Sequence, residues 1–401
     1  MSNSRIPSNL LISRMAADIV RKQSTLSDVQ EQISSGKRVN RPSDAPAHSA
    51  QIVSMQQTTD RLDQYQRNAN SAEAQLSLEE TALVGATNTL QRIRELALTS
   101  ASGIVDDQKL HAISEEIKLR RDELINLANS RDSFGNYLFG GSSNQTKPFS
   151  DGNPIQYSGS DDSHNVTIGA GRSINTGDSG SAVFQRIRNG NGTFNVEPNA
   201  ANTGTGIIEY GSVTNMALYD TQRYEIRFTS SSSYDIVNVS TGSNVQTGVA
   251  YPDQANIEFA GIKTSLSGNP QTGDSFLIEP SRNKDIFSIV SDFLTALDSA
   301  PQTAEQKSSL QQDVKAVITN IDQGLDHINR FRANVGARLN NIESSREENA
   351  GMKLQIERIR SEIEDIDIAE AVTSLQTKAT ALEILQKSFV RVEGLSLFNH
   401  M

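Results

Sequence analysis

Between residues 304 and 401 the apolar side chains recur on a coiled-coil beat. Leu310, Val314, Val317, Ile321, Ile328, Val335, Leu339 and Ile342 keep steps of three, four or seven, and Met352, Ile356, Ile359, Ile363 and Ile366 continue them. After a slip at residues 365–367, Ile368, Val372, Leu375, Ala379 and Leu382 resume the rhythm in a new register, which runs on to Phe389 and Val392. A stripe repeating every 3.5 residues is a seam, and a seam needs a facing helix to bury it. Such regularity in the last part of a chain, where order is usually lowest, points to a function in the seam itself.

The partners must be sought elsewhere in the chain or in other chains. Met15, Ile19, Leu26, Val29 and Ile33 form a second seam near the other end, with Lys22 in the skipped place. Gly36 reads as the helix C-terminal cap. Pro42 and Pro46 exclude a continuous helix there, and Ser43-Asp44 is the expected cap of the next one. From residue 47 to about 101, Leu62, Ala69, Leu76, Leu83, Leu90 and Ala97 recur every seventh place, with Met55, Tyr65, Ala72, Ala86 and Ile93 at the other seam position. Glu79 is the exception, a charge on the stripe. A helix of that length spans about 80 Å at ~1.5 Å per residue and is not stable alone, so it belongs in a bundle. Ser102-Gly103 breaks it, and Leu110, Ile113, Ile117, Leu124 and Leu127 mark a shorter returning helix, an antiparallel hairpin. Ile286, Ile289, Val290, Phe293, Leu294 and Leu297 make a further amphipathic helix, ended by Pro301.

Between these helical parts the text changes. Residues 133–141 read as a turn, a short apolar strand and another turn. Residues 142–283 are rich in Gly, Ser, Thr and Asn, and the alternating runs 224–228, 235–239 and 275–279 read as strands of a half-exposed β domain. The expected fold class is therefore α+β. An elongated antiparallel helical bundle or coiled coil is built from both chain halves, with a central, mainly-β inserted domain. The expected division is terminal assembly helices at residues 1–40 and 366–401, a bundle at 41–141 and 285–365, and a β-rich outer domain at 142–284.

Composition agrees. Only 36% of the 401 residues are hydrophobic, 5% are aromatic and none is Trp, which suits narrow seams better than one large core. A net charge of −11 argues against general binding of nucleic acid or anionic membranes. With no cysteine there are neither disulfides nor thiolate metal sites. The first fifteen residues lack an apolar core of signal-peptide length, and no stretch reaches the ~18 apolar residues of a membrane span. The expected compartment is the cytosol, or the outside by a route without a cleavable signal.

Chemistry is sparse. His48, His111, His164, His327 and His400 are scattered, without the spacing of a zinc site, and are expected at the surface. Gly36-Lys37-Arg38 lacks the other residues of a phosphate loop. The acidic run 362–367 is expected to be a solvated face or an ion-pairing surface for a basic neighbour. No catalytic residue, cofactor or metal is expected. What remains are surfaces. The two end segments together can form only a two-helix seam open on its other sides, which is marginal alone. Ordering on assembly with copies of the chain or related chains is the expected mechanism. The expected interface residues are Met15, Ile19, Leu26, Val29, Ile33, Ile368, Val372, Leu375, Ala379, Leu382, Phe389 and Val392.

Three stretches carry a resemblance: residues 32–44 (QISSGKRVNRPSD), residues 127–141 with the run GNYLFGG, and residues 363–372 (IEDIDIAEAV). They resemble the flagellin family over roughly residues 5–141 and 285–401. Residues 40–44 and the GNYLFGG run are more similar to the family's hook–filament junction members than to flagellin itself. Ala45 departs from the family, where a second Asp is common. The resemblance implies a structural protein of the bacterial flagellum, exported through the flagellar type III apparatus with an export chaperone. It would be cytoplasmic before export and extracellular afterwards. It would form a ring with copies of itself between the hook-associated protein 1 zone and the flagellin filament. The alternative implied is a flagellin of the bulk filament; an enzyme or an adhesin would need a polar pocket that the sequence does not display.

Overall fold

The computed structural model describes residues 8–101, 107–152, 154–252, 255–298 and 303–398. Among the described residues the helices are α1 (Ser8–Ser35), α2 (Pro46–Ser100), α3 (Asp107–Ala128), α4 (Ile286–Asp298), α5 (Ala304–Glu364) and α6 (Ile368–Phe398). The breaks expected at Ser102-Gly103 and Pro301 lie outside the described residues. Two compact units result, one from residues 1–67 with 345–401 and one from residues 68–344. The fold is α+β, as the periodicities imply.

In the larger unit the seventh-residue stripe of α2 is buried from Ala69 to Ala97. It joins Ile113 and Ile117 of α3, the apolar face of α4, and Val314, Val317, Ile321, Ile328, Val335 and Ile342 of α5 in one core. Charged pairs fix the direction of packing. Arg94 meets Asp322 at 2.6 Å and Arg332 meets Glu80 at 2.8 Å, so numbers rise on α2 as they fall on α5. That is antiparallel pairing.

The charge on the stripe has a partner that spacing alone does not locate. Glu79 is 2% exposed. Its Oε1 accepts the Asp178 N–H at 3.2 Å, and the Asp178 carboxylate is gripped by Arg338 at 2.8 and 3.0 Å. Burial, then the neighbouring Asp178 charge, pushes the Glu79 carboxyl well above the usual carboxylate range. His327 also departs from expectation. It is half-buried, with its Nε2 2.8 Å from the Ala182 carbonyl and its ring against Phe331. His48, His111 and His164 are exposed, as expected, and His400 lies outside the described residues.

Residues 133–141 form no strand. Asp132 accepts the N–H groups of Phe134 and Asn136, both at 2.9 Å, which closes a turn and leaves a single bridge between Arg131 and Tyr137. Phe139 then turns inward against Phe184.

Strands β1 (Asn165–Gly169) and β2 (Arg172–Asn175) make a hairpin, and β3 (Ile187–Arg188), β4 (Phe194–Pro198), β5 (Ile207–Ile208) and β6 (Ser212–Val213) follow. Next come β7 (Tyr224–Ser230), β8 (Ser233–Asn238), β9 (Asn244–Ala250), β10 (Ala255–Phe259), β11 (Ile262–Ser267), β12 (Ser275–Pro280) and β13 (Asn283–Lys284). The principal sheet is antiparallel in the order β4-β12-β7-β8-β9. The three strands expected from alternation are its adjacent members β12, β7 and β8. Their inward residues, among them Tyr224, Ile226, Phe228, Ile236, Phe276 and Ile278, share a second core with Ile257, Phe259, Ile262 and Leu266 of the β10–β11 hairpin. That hairpin turns on Ala260 and Gly261, both at positive φ (43° and 75°), the two-residue geometry that matches strand twist.

Candidate assembly interface

In the smaller unit α1 and α6 lie side by side, and their direction is set at one end. Gly36 adopts φ +71°, which ends α1 as a C-terminal cap should. The next residues pair with the α5–α6 junction. Arg38 N–H donates to the Glu364 carbonyl at 2.7 Å, Ile366 N–H donates to the Gly36 carbonyl at 3.1 Å, and Lys37 bridges Asp365. Lys37 also pairs with the Glu364 carboxylate, and the Arg38 guanidinium reaches the Ile363 carbonyl at 2.8 Å. The acidic run therefore has a basic neighbour, the Lys37-Arg38 pair. Because the end of α1 meets the start of α6, the two helices run antiparallel.

The slip at residues 365–367 is a break between helices. Asp367 caps α6, accepting the N–H groups of Ala369 at 2.9 Å and Glu370 at 3.2 Å. Asp44, by contrast, does not cap α2. Its carboxylate turns back to the N–H groups of Arg41 at 2.8 Å and Asn40 at 3.2 Å. It stands one place too early, because Ala45 occupies the cap position and Pro46 opens the helix.

The expected interface residues fall into two sets. Met15, Ile19, Leu26 and Ile33 are half-buried and Val29 is buried on α1. On α6, Leu375, Phe389 and Val392 are half-buried and Leu382 is buried. The inward beat of α6 is Ala371, Leu375, Lys378, Leu382, Leu385, Phe389 and Val392. Ile368, Val372 and Ala379 are exposed. The reason is visible further along the helix. The branch through 372 and 379 continues to Gln386 and Glu393, whereas the branch through 371 and 378 continues to Leu385 and Val392. The second branch buries more apolar surface although it takes in Lys378.

The pair leaves several apolar side chains in water. Val20 on α1 is 66% exposed, and Ile368, Val372, Ile384 and Val390 on α6 are 50–67% exposed. Leu10 and Leu11 add to them on α1. Sequence reasoning did not single out Leu10, Leu11, Val20, Ile384 or Val390, because they sit off the dominant 3-4 stripe; their signal is that they are apolar residues left over once a seam is assigned. Among the described residues no group of three His, Cys, Asp or Glu could hold a metal ion, and no helix is long and apolar enough to cross a membrane.

Residues 6–144 match the bacterial flagellin N-terminal helical region and residues 318–398 its C-terminal helical region. The flagellar hook-associated protein 3 of Escherichia coli strain K12 is 31% identical over 183 residues, 46% of this chain and 57% of that protein. The chain thus spans little more than half the length of the curated relatives it first matches. The FlgL crystal structure from Xanthomonas campestris is 33% identical and superposes with a TM-score of 0.68, covering 71% of this chain and 94% of that one. The flagellar junction protein FlgL of Legionella pneumophila is 28% identical, with a TM-score of 0.72 over 79% of this chain and 99% of that one.

Proposed function

This chain belongs to the bacterial flagellin family, on the side of hook-associated protein 3, and we propose that it is a structural adaptor joining the hook-associated protein 1 zone to the flagellin filament, with no catalysis. The observation that supports this reading best is the α1–α6 pair, which buries one seam and keeps further apolar side chains, among them Ile368, Val372 and Val390, exposed. A surface of that kind on two terminal helices is worth covering. Each fully buried Leu or Ile contributes about 1.5–3 kcal/mol, so copies of the chain and its axial neighbours gain by packing there. Residues 1–40 and 366–401 are then the assembly segments, 41–141 and 285–365 the bundle, and 142–284 the outer domain. The expected partners are copies of the chain in a ring, hook-associated protein 1, flagellin, and an export chaperone before secretion. The chain would be cytoplasmic until export and then extracellular, at the hook–filament junction.

A deletion strain tests this. Intact hooks, no filaments and flagellin in the medium are the expected outcome. Filaments of normal length, or rescue by added flagellin alone, would instead assign the chain to the bulk filament.

A further inference from the structure

The two cores of the larger unit share little apolar contact. Phe149, Ile168, Ile174 and Phe184 are built into the core of the bundle, whereas the second core is drawn from residues 194–278. Among the described residues, Ala316 on α5 is the one helical side chain that packs against that second core. The chain passes from the one to the other through the β3–β13 ribbon, where Ile187 faces Lys284 and Arg188 faces Asn283. Beside the ribbon, β4 and α4 stand apart across a cleft of about 490 Å³. Residues 189–282 thus form a lobe on a two-stranded neck.

What holds the lobe to α5 is mainly polar. Gln312, Ala316 and Asn320 follow at steps of four, on one face of the helix. Gln312 is 2% exposed, and its amide meets both polar groups of the buried Ile208 in β5. Its Oε1 accepts the Ile208 N–H at 2.8 Å, and its Nε2 donates to the Ile208 carbonyl at 3.1 Å. The other edge of β5 pairs with β11, so the amide stands where a further strand would. Asn320 is also buried, and its Oδ1 accepts the Gly190 N–H at 2.8 Å. A peptide group shut away from water needs such a partner, whereas one in the open is satisfied by water. The contact is therefore stable with both amides engaged or with the lobe lifted clear, and poor between.

We propose that Gln312 and Asn320 are a latch, and that the lobe of residues 189–282 swings as a rigid body on the β3–β13 ribbon when they let go. A continuous apolar seam would fuse the two cores; a small polar contact between parts of one chain is of the kind that opens. The lobe keeps its own core in both positions. Opening gives up the two amide contacts and the packing of Ala316, and leaves the bundle core untouched. The latch thereby sets the direction in which the lobe points.

The chain has no cysteine, so Leu119→Cys on α3 and Ser231→Cys between β7 and β8, both at exposed positions, carry a pair of spin labels without background. The full chain so labelled gives one narrow distance. Gln312→Leu with Asn320→Leu adds a second, displaced population, and exchange of the Ile208 amide rises about tenfold or more, the scale of one lost hydrogen bond of a buried group. The amides of Ile226 in β7 and Leu83 in α2 keep their protection. Lys315→Gln, which removes the exposed ion pair with Glu209 instead, leaves the distance unchanged. If the double variant does not fold, Gln312→Leu alone decides between the same outcomes. A single unchanged distance in the latch variants, a loss of protection at Ile226, or an equal displacement by Lys315→Gln would overturn the proposal.

Discussion

Arg338 on α5 grips Asp178 with two hydrogen bonds of 3.0 and 2.8 Å, and the backbone N–H of that aspartate is bonded to Glu79 on α2. The three side chains tie the two long helices to the segment that follows β2. Arg338→Ala would leave two carboxyls buried without their cation. Removing one partner of a buried pair costs about 3 kcal/mol or more. Chemical denaturation followed by circular dichroism should show that loss in the larger unit.

Glu79 has a pH signature of the opposite kind from a paired carboxylate. Its folded pKa is raised, so the folded chain holds this proton more tightly than the unfolded chain. Stability is therefore greatest at low pH for this group and is lost as pH rises through the raised pKa. Glu79→Gln carries no proton to lose. The variant should be more stable than the parent at neutral pH, by about 1–2 kcal/mol, and the gap should close as the pH falls towards the ordinary carboxylate range. Denaturation midpoints at a series of pH values check this; a gap independent of pH would contradict it.

Asp367 caps the start of α6, accepting the N–H groups of Ala369 and Glu370. Asp367→Ala should cost about 1 kcal/mol locally. Amide hydrogen exchange should accelerate over the first turns of α6 and remain unchanged along the buried stripe of α2.

How far the sequence could be read depended on whether the pattern was local. The stripe from Leu62 to Ala97 was legible because its period is its own evidence. Glu79 was legible as an anomaly, yet Asp178 lies 99 residues away and no spacing rule links them. β7 and β8 alternate cleanly, whereas β12 buries its residues two at a time, β9 is exposed on nearly every residue and β4 buries three residues in a row, so these three do not show the period of two. On α6 the residues at 375, 382 and 389 suit either of two stripes, and only Gln386 and Glu393 against Leu385 and Val392 decide between them. Met352 likewise sits on the expected beat of α5 yet is 42% exposed, while Ser345 and Asn349 are buried.

The two faces of α6 should separate stability from assembly. Val372→Asp with Val390→Asp changes exposed positions and should leave monomer stability within about 0.5 kcal/mol, while abolishing incorporation into flagella. Leu382→Asp places a charge where the side chain is buried against the pair, and should release α6 from α1 in the isolated monomer. Helical content and protease sensitivity of the terminal segments distinguish the two outcomes.

An adaptor of this kind needs its terminal helices to be assembly segments and not a support for the bundle. The most direct measurement is a chain lacking residues 370–401, purified for its unfolding transition and returned to the deletion strain for filament counts. We expect a folded, soluble monomer whose bundle unfolds as in the full chain, with no filaments restored. Normal filaments from the shortened chain, or a bundle lost with the segment, would contradict it.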